Sequence, residues 1–202
     1  HDGRLVSWGG SSDPFRMGKD NTLRLWDKDG SPIAIITGNT NSVIKVIQLT
    51  NGRLLSYGEI NTLRLWDEAG TNIPPITKHT DSVRLVKLQK GQFEQLLSWS
   101  NDNTLITWNR NGIPIALLQG HGDNINGAIE LTGEQILSWS KDKTLRLWDR
   151  NGTQLSILKG HTDNISNVIE LRNGRILSWS EDKTLRLWDK NSTQLSILKG
   201  HN

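Results

Sequence analysis

Residues 142–149 read DKTLRLWD, and the same eight residues return at 182–189. The segment that follows is repeated as well, because TQLSILKGH stands at 153–161 and again at 193–201. The two copies are therefore parts of one unit, whose tryptophans, Trp148 and Trp188, lie 40 residues apart. Repetition at such a period is typical of solenoids, propellers and other repeat arrays.

The unit can be followed outward along the whole chain. A tryptophan recurs at distances of 40, 42, 40 and 40 residues, as Trp26, Trp66, Trp108, Trp148 and Trp188. Asp follows four of these residues and Asn109 follows the third. A Gly-His or Lys-His pair ends at His79, His121, His161 and His201. This Gly-His and Trp-Asp pattern resembles the WD-repeat family, and the resemblance covers the whole chain.

One unit contains four short segments with the composition of β-strands. In the last copy they span residues 165–171, 175–180, 184–188 and 194–198, and turn residues such as Asn173-Gly174 separate them. Such spacing predicts antiparallel hairpins. A lone four-stranded sheet cannot bury both of its faces, whereas copies stacked around an axis can. The predicted fold is therefore all-β, a β-propeller of four-stranded antiparallel blades with strands a to d.

The repeats predict a single propeller region over residues 1–202, with five blades. Their predicted bounds are 1–38, 39–78, 79–120, 121–160 and 161–200. The first blade begins at strand b and lacks its innermost strand, so that nineteen strands are expected. We expect the chain to be an excerpt of a longer array. Two alternatives are a strand supplied by another copy through oligomerisation and a missing piece that is disordered.

Composition excludes several classes of function. The 24 Lys and Arg and the 21 Asp and Glu are spread along the chain and give a net charge of +3, which does not predict nucleic-acid binding. No apolar run approaches ~18 residues, so that no membrane partner is expected. The sequence has no cysteine, which excludes disulfides and thiolate chemistry. With no signal-like segment, we expect a cytoplasmic protein. We also expect no cofactor.

The resemblance implies a hydrogen-bonded network in each blade, formed by a His before strand a, a Ser of strand b, an Asp of the b–c turn and the Trp of strand c. The implied sets are His79, Ser98 or Ser100, Asp102 and Trp108; His121, Ser138 or Ser140, Asp142 and Trp148; and His161, Ser178 or Ser180, Asp182 and Trp188. Ser, His and Asp also suggest a catalytic triad. Three copies at repeat spacing favour a scaffold, so we predict no enzyme. The pairs His79/Asp81, His121/Asp123 and His161/Asp163 predict turn capping rather than a metal site.

An aromatic residue after the first Ser of strand b marks every blade, as Trp8, Tyr57, Trp99, Trp139 and Trp179. These rings alternate with the flanking serines and point to the other face of the strand. They either fill the space between blades or form an aromatic site for a sugar or peptide. Sugar binding by these rings gives an alternative function, a repeat lectin.

Positions where the copies differ are the candidates for a specific contact. The first copy has nine extra residues within residues 9–19, and they contain Phe15, Arg16 and Met17. In the second copy Tyr57 replaces Trp and Ile60 replaces the Asp of the network. We predict that these five residues contact a protein or peptide partner. The predicted function is a non-catalytic protein-interaction scaffold or sensor platform within a larger multidomain protein.

Overall fold

The computed structural model of the chain describes residues 3–8, 21–37, 43–49, 51–58, 63–73, 79–88 and 95–200. These residues form β-strands and turns, and none of them is helical. No helix that could span a membrane is found among them. They belong to two compact units, one drawn from residues 1–85 and 109–113 and the other from residues 86–108 and 114–202.

Nineteen strands lie in the described residues, grouped in five sheets whose strands follow one another in chain order. Blade 1 has three strands, β1 (Leu5–Trp8), β2 (Leu23–Trp26) and β3 (Pro32–Ile36). Blade 2 has β4 (Val43–Gln48), β5 (Leu54–Gly58), β6 (Leu63–Trp66) and β7 (Asn72–Ile73). Blade 3 has β8 (Val83–Leu88), β9 (Gln95–Ser100), β10 (Thr104–Asn109) and β11 (Pro114–Gln119). Blade 4 has β12 (Ile125–Glu130), β13 (Ile136–Ser140), β14 (Thr144–Trp148) and β15 (Gln154–Lys159). Blade 5 has β16 (Ile165–Glu170), β17 (Ile176–Ser180), β18 (Thr184–Trp188) and β19 (Gln194–Lys199).

The predicted fold class is confirmed by this arrangement. The strands pair antiparallel, as in β13 and β14, where Ser138 lies opposite Arg146 and Trp139 lies opposite Leu145. The predicted strand ends in the last unit agree with the observed ends at five positions and differ by one residue at the other three. Within the described residues, the sheet of blade 1 consists of strands b, c and d, as the sequence predicted.

Each blade has two faces of different composition, because successive side chains of a strand point to opposite sides. In blade 4 one side carries Trp139, Leu145 and Leu158, and we call it the Leu face. The opposite side carries Ser138 and Trp148, and we call it the Trp face. The eight-residue motif sets this division, since its leucines alternate with Arg and Trp along strand c.

The Leu face of one blade packs on the Trp face of the next blade within each unit. In the first unit, Leu23 and Leu25 of blade 1 share a buried cluster with Leu54 and Trp66 of blade 2. Two such clusters lie in the second unit, and their buried members are Leu97, Leu105, Leu118, Ile125, Ala128, Ile136 and Trp148 in one, and Leu131, Leu137, Trp139, Leu145, Leu147, Leu158, Ile165, Val168, Ile176 and Trp188 in the other. Burial of apolar area between blades is therefore the main source of stability.

Polar contacts between neighbouring blades differ from one pair to the next. Arg150 in the c–d turn of blade 4 donates to Gln95 Oε1 of blade 3 at 2.9 Å, and it also pairs with Glu130 of its own blade. Between blades 4 and 5 the backbone N–H of Thr132 donates to Glu170 Oε1 at 2.9 Å. The apolar packing is thus repeated, whereas these contacts are specific to one interface.

Candidate functional site

Blade 4 contains a chain of hydrogen bonds that joins its d–a loop, strand b, b–c turn and strand c. His121 Nδ1 lies 2.7 Å from Asp142 Oδ2, and His121 Nε2 lies 2.8 Å from Ser138 Oγ. Trp148 Nε1 donates to the same Ser138 oxygen at 2.9 Å. Since a carboxylate only accepts, Nδ1 carries the hydrogen and Nε2 accepts from the Ser138 hydroxyl. Every polar side-chain atom of this hydrogen-bonded network in blade 4 therefore has a partner.

Blade 5 repeats this geometry nearly without change. His161 Nδ1 and Nε2 each lie 2.8 Å from their partners, Asp182 Oδ2 and Ser178 Oγ, and Trp188 Nε1 donates to Ser178 at 2.9 Å. The backbone N–H of Thr162 donates to Asp182 at 3.0 Å, so that the carboxylate also fixes the d–a loop.

Blades 1, 2 and 3 contain parts of the same hydrogen-bonded network. The Trp of strand c donates to the first Ser of strand b at 2.8 Å in each of three pairs, Trp26–Ser7, Trp66–Ser56 and Trp108–Ser98. In blade 3, Asp102 Oδ1 accepts from Thr104 at 3.0 Å through the backbone and at 2.6 Å through the hydroxyl. His79 is buried.

The two serines of strand b have different roles, which the sequence left open. The first one accepts from the Trp, as described above. The second one caps the b–c turn: Ser140 Oγ accepts from the backbone N–H of Asp142 at 3.0 Å and donates to the carbonyl of Asp123 at 2.8 Å. The corresponding distances at Ser180 are 3.1 and 2.9 Å.

The electrostatics of the network favour an ionised Asp. Burial raises the pKa of the Asp142 carboxyl, but hydrogen bonds from His121, Thr144 and the backbone of Gly122 outweigh it and hold the pKa well below its usual range. Hydrogen bonds from Thr184, Thr162 and His161 do the same for the pKa of Asp182.

The pKa of the neighbouring His161 is lowered, first by burial and further by the charge of Arg186, against the opposing effect of Asp182. The imidazole is therefore held in its neutral form, as the hydrogen-bond assignment requires.

These residues lack the access that catalysis needs. The side chains of Ser98, Ser138 and Ser178 belong to residues with an exposed fraction of 0%. A nucleophilic Ser must reach a substrate carbonyl, whereas the hydroxyls of Ser138 and Ser178 are enclosed between His and Trp. The arrangement can hold a turn in place.

Two segments of the protein, which contain this polar network, are similar to a known family. Residues 112–149 and 152–189 each match the family model of the WD domain, G-beta repeat, named WD40. These residues are two WD40 repeats. Each matched segment begins at or next to a c–d turn and ends at the Asp that follows the Trp of the next strand c.

Other comparisons concern the fold alone. The structure is similar to the crystal structure of the computationally designed Ika8 protein, with a TM-score of 0.66 and 21% sequence identity over 100% of this chain and 60% of the designed chain. This chain thus spans about 60% of the length of the protein it matches. A search of curated protein sequences found no significant match.

The Asp of the Trp-Asp pair in these WD40 repeats has a role that the sequence reasoning missed. Asp149 Oδ1 accepts from the backbone N–H groups of Asn151 and Thr153 at 2.9 and 2.8 Å, and so closes the c–d turn. The same two bonds are made by Asp27, Asp67, Asn109 and Asp189. The signal was present, since all five positions carry a short side chain with an acceptor oxygen.

Among the predicted partner-binding residues, Phe15, Arg16, Met17 and Ile60 lie outside the described residues. Tyr57 lies within them and is buried, with 8% of its surface exposed. Burial raises the pKa of the Tyr57 phenol, and the charge of Arg84 opposes this effect. The role of Tyr57 in partner binding stays a prediction.

The aromatic residues of strand b have unequal environments. Trp139 is buried on the Leu face of blade 4, and Trp99 packs against the equivalent cluster of the second unit. Trp8 is exposed, and Trp179 lines a surface depression of blade 5. Packing between blades therefore accounts for the rings of the interior blades.

No group of three His, Asp or Glu residues in the described part of the chain is arranged to bind a metal ion. The Asp residues beside the network His instead accept from the next backbone N–H, at 2.7 Å for Asp123 and 2.8 Å for Asp163. These contacts are those of turn caps.

The outermost strands carry exposed apolar side chains that the sequence reasoning did not single out. They occupy alternate positions and have exposed fractions from 40% to 61%: Ile33 and Ile35 on β3, Ile115 and Leu117 on β11, Leu155 on β15, and Leu195 and Ile197 on β19. Each lies on the Trp-face side of strand d. We call these residues the outer rows.

Proposed function

We propose that the chain is a non-catalytic scaffold or sensor platform that binds a protein or peptide partner, within a larger multidomain protein. WD40 repeats generally mediate protein–protein interactions, and the two matched segments support such a role. The observation that carries the finer proposal is the contrast between the buried polar chain and the exposed outer rows.

The buried residues supply support for a scaffold. Their hydrogen bonds join loops and strands of one blade, and a fully satisfied polar network fixes a single arrangement of the backbone. The Ser and His side chains are enclosed, so that they contribute rigidity and not a reaction.

The outer rows supply support for a protein partner. Exposed apolar residues that recur at equivalent positions are unusual on a monomer surface and are typical of interaction sites. On β11, Ile115 and Leu117 project from the same side of an edge strand. A partner could pack an apolar side chain on such a row, or pair a strand with the free edge of β11 beside it.

A lectin with one sugar site per blade is the alternative function. It requires an exposed aromatic ring in each blade, because sugars stack on the face of an accessible ring. Tyr57 and Trp139 are buried, whereas Trp8 and Trp179 reach the surface. The burial of the interior rings favours the scaffold over a lectin with equivalent sites.

The scaffold proposal is tested by affinity capture from a lysate of the source organism with three forms of the chain. We expect the native chain to retain a reproducible set of proteins, and the double variant Ile115→Ser, Leu117→Ser to retain about tenfold less of them, as a loss of about 1.4 kcal/mol implies. The control is Gln119→Ser, an exposed position on the same strand. Equal retention by the double variant and the native chain, or no retention above bare resin, contradicts the proposal.

A further inference from the structure

Five asparagines in the sequence are each followed by glycine, and the structure holds their side chains differently. They are Asn51, Asn111, Asn126, Asn151 and Asn173. In an Asn-Gly pair the backbone nitrogen of the glycine can approach the side-chain amide closely, because glycine has no Cβ to block it. Attack by that nitrogen changes the asparagine covalently, so that the surroundings of each side chain decide which pair reacts.

Hydrogen bonds restrain four of these side chains. Asn51 Nδ2 donates to Asn111 Oδ1 at 3.0 Å, so that one bond engages both residues. Asn126 Nδ2 donates to a backbone carbonyl of blade 5 at 2.9 Å. Asn173 Oδ1 accepts from a backbone N–H of its own turn at 3.2 Å. Each of these side chains must break a bond before it can react.

Asn151, in the c–d turn of blade 4, is held only through its backbone. The residue is exposed, and its side-chain amide makes no hydrogen bond within the described part of the chain. Its backbone N–H donates to Asp149 Oδ1 at 2.9 Å, and the N–H of Gly152 donates to the carbonyl of Asp149 at 3.2 Å. The side chain can therefore rotate toward the Gly152 nitrogen whenever this surface turn opens locally.

The c–d turn of blade 5 has the same anchoring and a different residue after its asparagine. Asn191 is exposed, and its backbone N–H donates to Asp189 Oδ1 at 2.9 Å. The N–H of Ser192 donates to the carbonyl of Asp189 at 3.1 Å. Ser192 stands in the place of Gly152, and its Cβ lies beside the nitrogen that would attack. The two turns thus differ at the residue that controls the approach.

We propose that Asn151 is a site of spontaneous deamidation, through attack of the Gly152 backbone nitrogen on Asn151 Cγ. The nitrogen loses its proton to water, the N–Cγ bond forms, and the Cγ–Nδ2 bond breaks. Nδ2 takes up a proton from water and leaves as ammonia. A second water molecule opens the cyclic imide at either carbonyl, which gives aspartate or isoaspartate at position 151. Nothing is oxidised or reduced in these steps.

The place of the turn gives the modification a structural effect. Gly152 lies against strand d of blade 3, because an added Cβ would be 3.0 Å from Ala116 Cβ. Both products place a new carboxylate beside Asp149, and isoaspartate also lengthens the backbone of the turn that Asp149 closes. The modification therefore loosens the contact between blades 3 and 4. It stands or falls separately from partner binding by the outer rows.

Peptide mapping of the folded 202-residue chain after incubation at mildly alkaline pH tests the proposal. Trypsin cleaves after Arg150 and Lys190 and releases NGTQLSILK (151–159) and NSTQLSILK (191–199), which differ in one residue. Mass spectrometry measures the conversion of each, and peptides left uncut at Arg150 are counted because isoaspartate hinders cleavage. Digestion in heavy-oxygen water marks conversion that occurs during handling. We expect Asn151 to convert at least about tenfold faster than Asn191, which is about 1.4 kcal/mol in activation free energy.

Ser192→Gly is the matched variant, and it should bring the rate at Asn191 to that of Asn151. Circular dichroism shows whether this variant is folded. A second measurement uses the native chain unfolded in urea, where the hydrogen bonds of the turns are absent. There the five Asn-Gly pairs should convert at similar rates, whereas in the folded chain Asn151 should be the fastest of them.

Three results would overturn the proposal. One is conversion of Asn151 in the folded chain that is no faster than that of Asn191. Another is a rate at Asn191 that Ser192→Gly leaves unchanged. The third is another Asn-Gly pair that converts as fast as Asn151 while the chain is folded.

Discussion

Replacement of Gly127 by Ala tests how tightly the blades are packed. Gly127 lies opposite Trp139 in the pairing of β12 and β13. A Cβ added at Gly127 would lie 2.7 Å from Cε2 and Cη2 of the indole and closer still to Cζ2. Carbon atoms in contact prefer about 3.5–4.0 Å. The ring must therefore move by about 1 Å or more, or leave the space between the blades.

Movement of the ring within the cluster and its exposure to solvent lower the free energy of unfolding by similar amounts. If the ring stays, it presses on Leu145 and Ile165 of the same cluster, and overpacking of this kind costs about 1–3 kcal/mol. If the ring turns outward and exposes about 80 Å² of apolar surface, the loss is about 2 kcal/mol at about 25 cal/mol per Å². We expect Gly127→Ala to lower the free energy of unfolding by about 2–3 kcal/mol.

Urea unfolding followed by circular dichroism measures this change. The matched control is Gly122→Ala, because blade 5 has Thr162 at that position and an added Cβ at Gly122 meets only Asp142 Cβ at 4.0 Å. In a Trp139→Leu background, where the clash is absent, Gly127→Ala is expected to cost less than about 0.5 kcal/mol. An equal cost in both backgrounds, or no cost in the native one, would refute the packing argument.

Three further predictions concern acidity, a turn and an ion pair. Because burial lowers the pKa of His161, the unfolded chain binds more protons than the folded chain as pH falls through about 6.5, and the free energy of unfolding falls with it. His161→Gln should therefore flatten the dependence of urea-derived stability on pH just below about pH 6.5, and an unchanged slope contradicts this. Ser192 has a φ of 67° and the equivalent residue Gly152 has a φ of 90°. Ser192→Gly should therefore raise the free energy of unfolding by about 0.5 kcal/mol, and Gly152→Ser should lower it by about 1 kcal/mol or more. Thermal unfolding measures both changes, and changes of the opposite sign would contradict the prediction. Arg150→Ala leaves the buried Glu130 carboxylate without its cation and should lower the free energy of unfolding by about 3 kcal/mol in urea. Lys190→Ala, at the equivalent exposed position of blade 5, should lower it by less than about 0.5 kcal/mol. Similar losses for both variants would show that the ion pair between Arg150 and Glu130 does not stabilise the fold.

The fold could be predicted from the sequence because every level of the repeat agrees. The alternation in DKTLRLWD assigns leucines to one face and Arg and Trp to the other, and the turn residues fix the strand ends. Burial on both faces then requires neighbouring blades. These are local and periodic signals, which a single sequence contains.

The environment of each copy could not be predicted in the same way. Trp139 and Trp179 stand in the same Ser-Trp-Ser context, yet the first is buried and the second lines a depression, because burial depends on what covers the blade. Opposite Trp139 stands Gly127, whereas Asn167 stands opposite Trp179. Tyr57 is predicted to contact a partner because it differs from the Trp of the other repeats, and its burial is a separate finding that a comparison of repeats does not contain.

The choice between the two serines of strand b also needed coordinates. Both have the same chemistry and lie two residues apart, on the same side of the strand. Only the pairing of Ser138 opposite Arg146 places its hydroxyl beside Trp148, while Ser140 reaches the backbone of the turn. The outer rows were overlooked because isoleucine and leucine in a strand resemble core residues until exposure is known.

The central claim is that the repeated polar residues hold each blade together, and our proposal assigns partner binding to the exposed outer rows. Ser138→Ala tests it most directly, since the change leaves Trp148 Nε1 and His121 Nε2 without their shared partner. The free energy of unfolding should fall by about 2–4 kcal/mol, while the folded variant retains the same partner proteins as the native chain in affinity capture. Unchanged stability together with lost partner retention would show that Ser138 acts in function and would contradict the account.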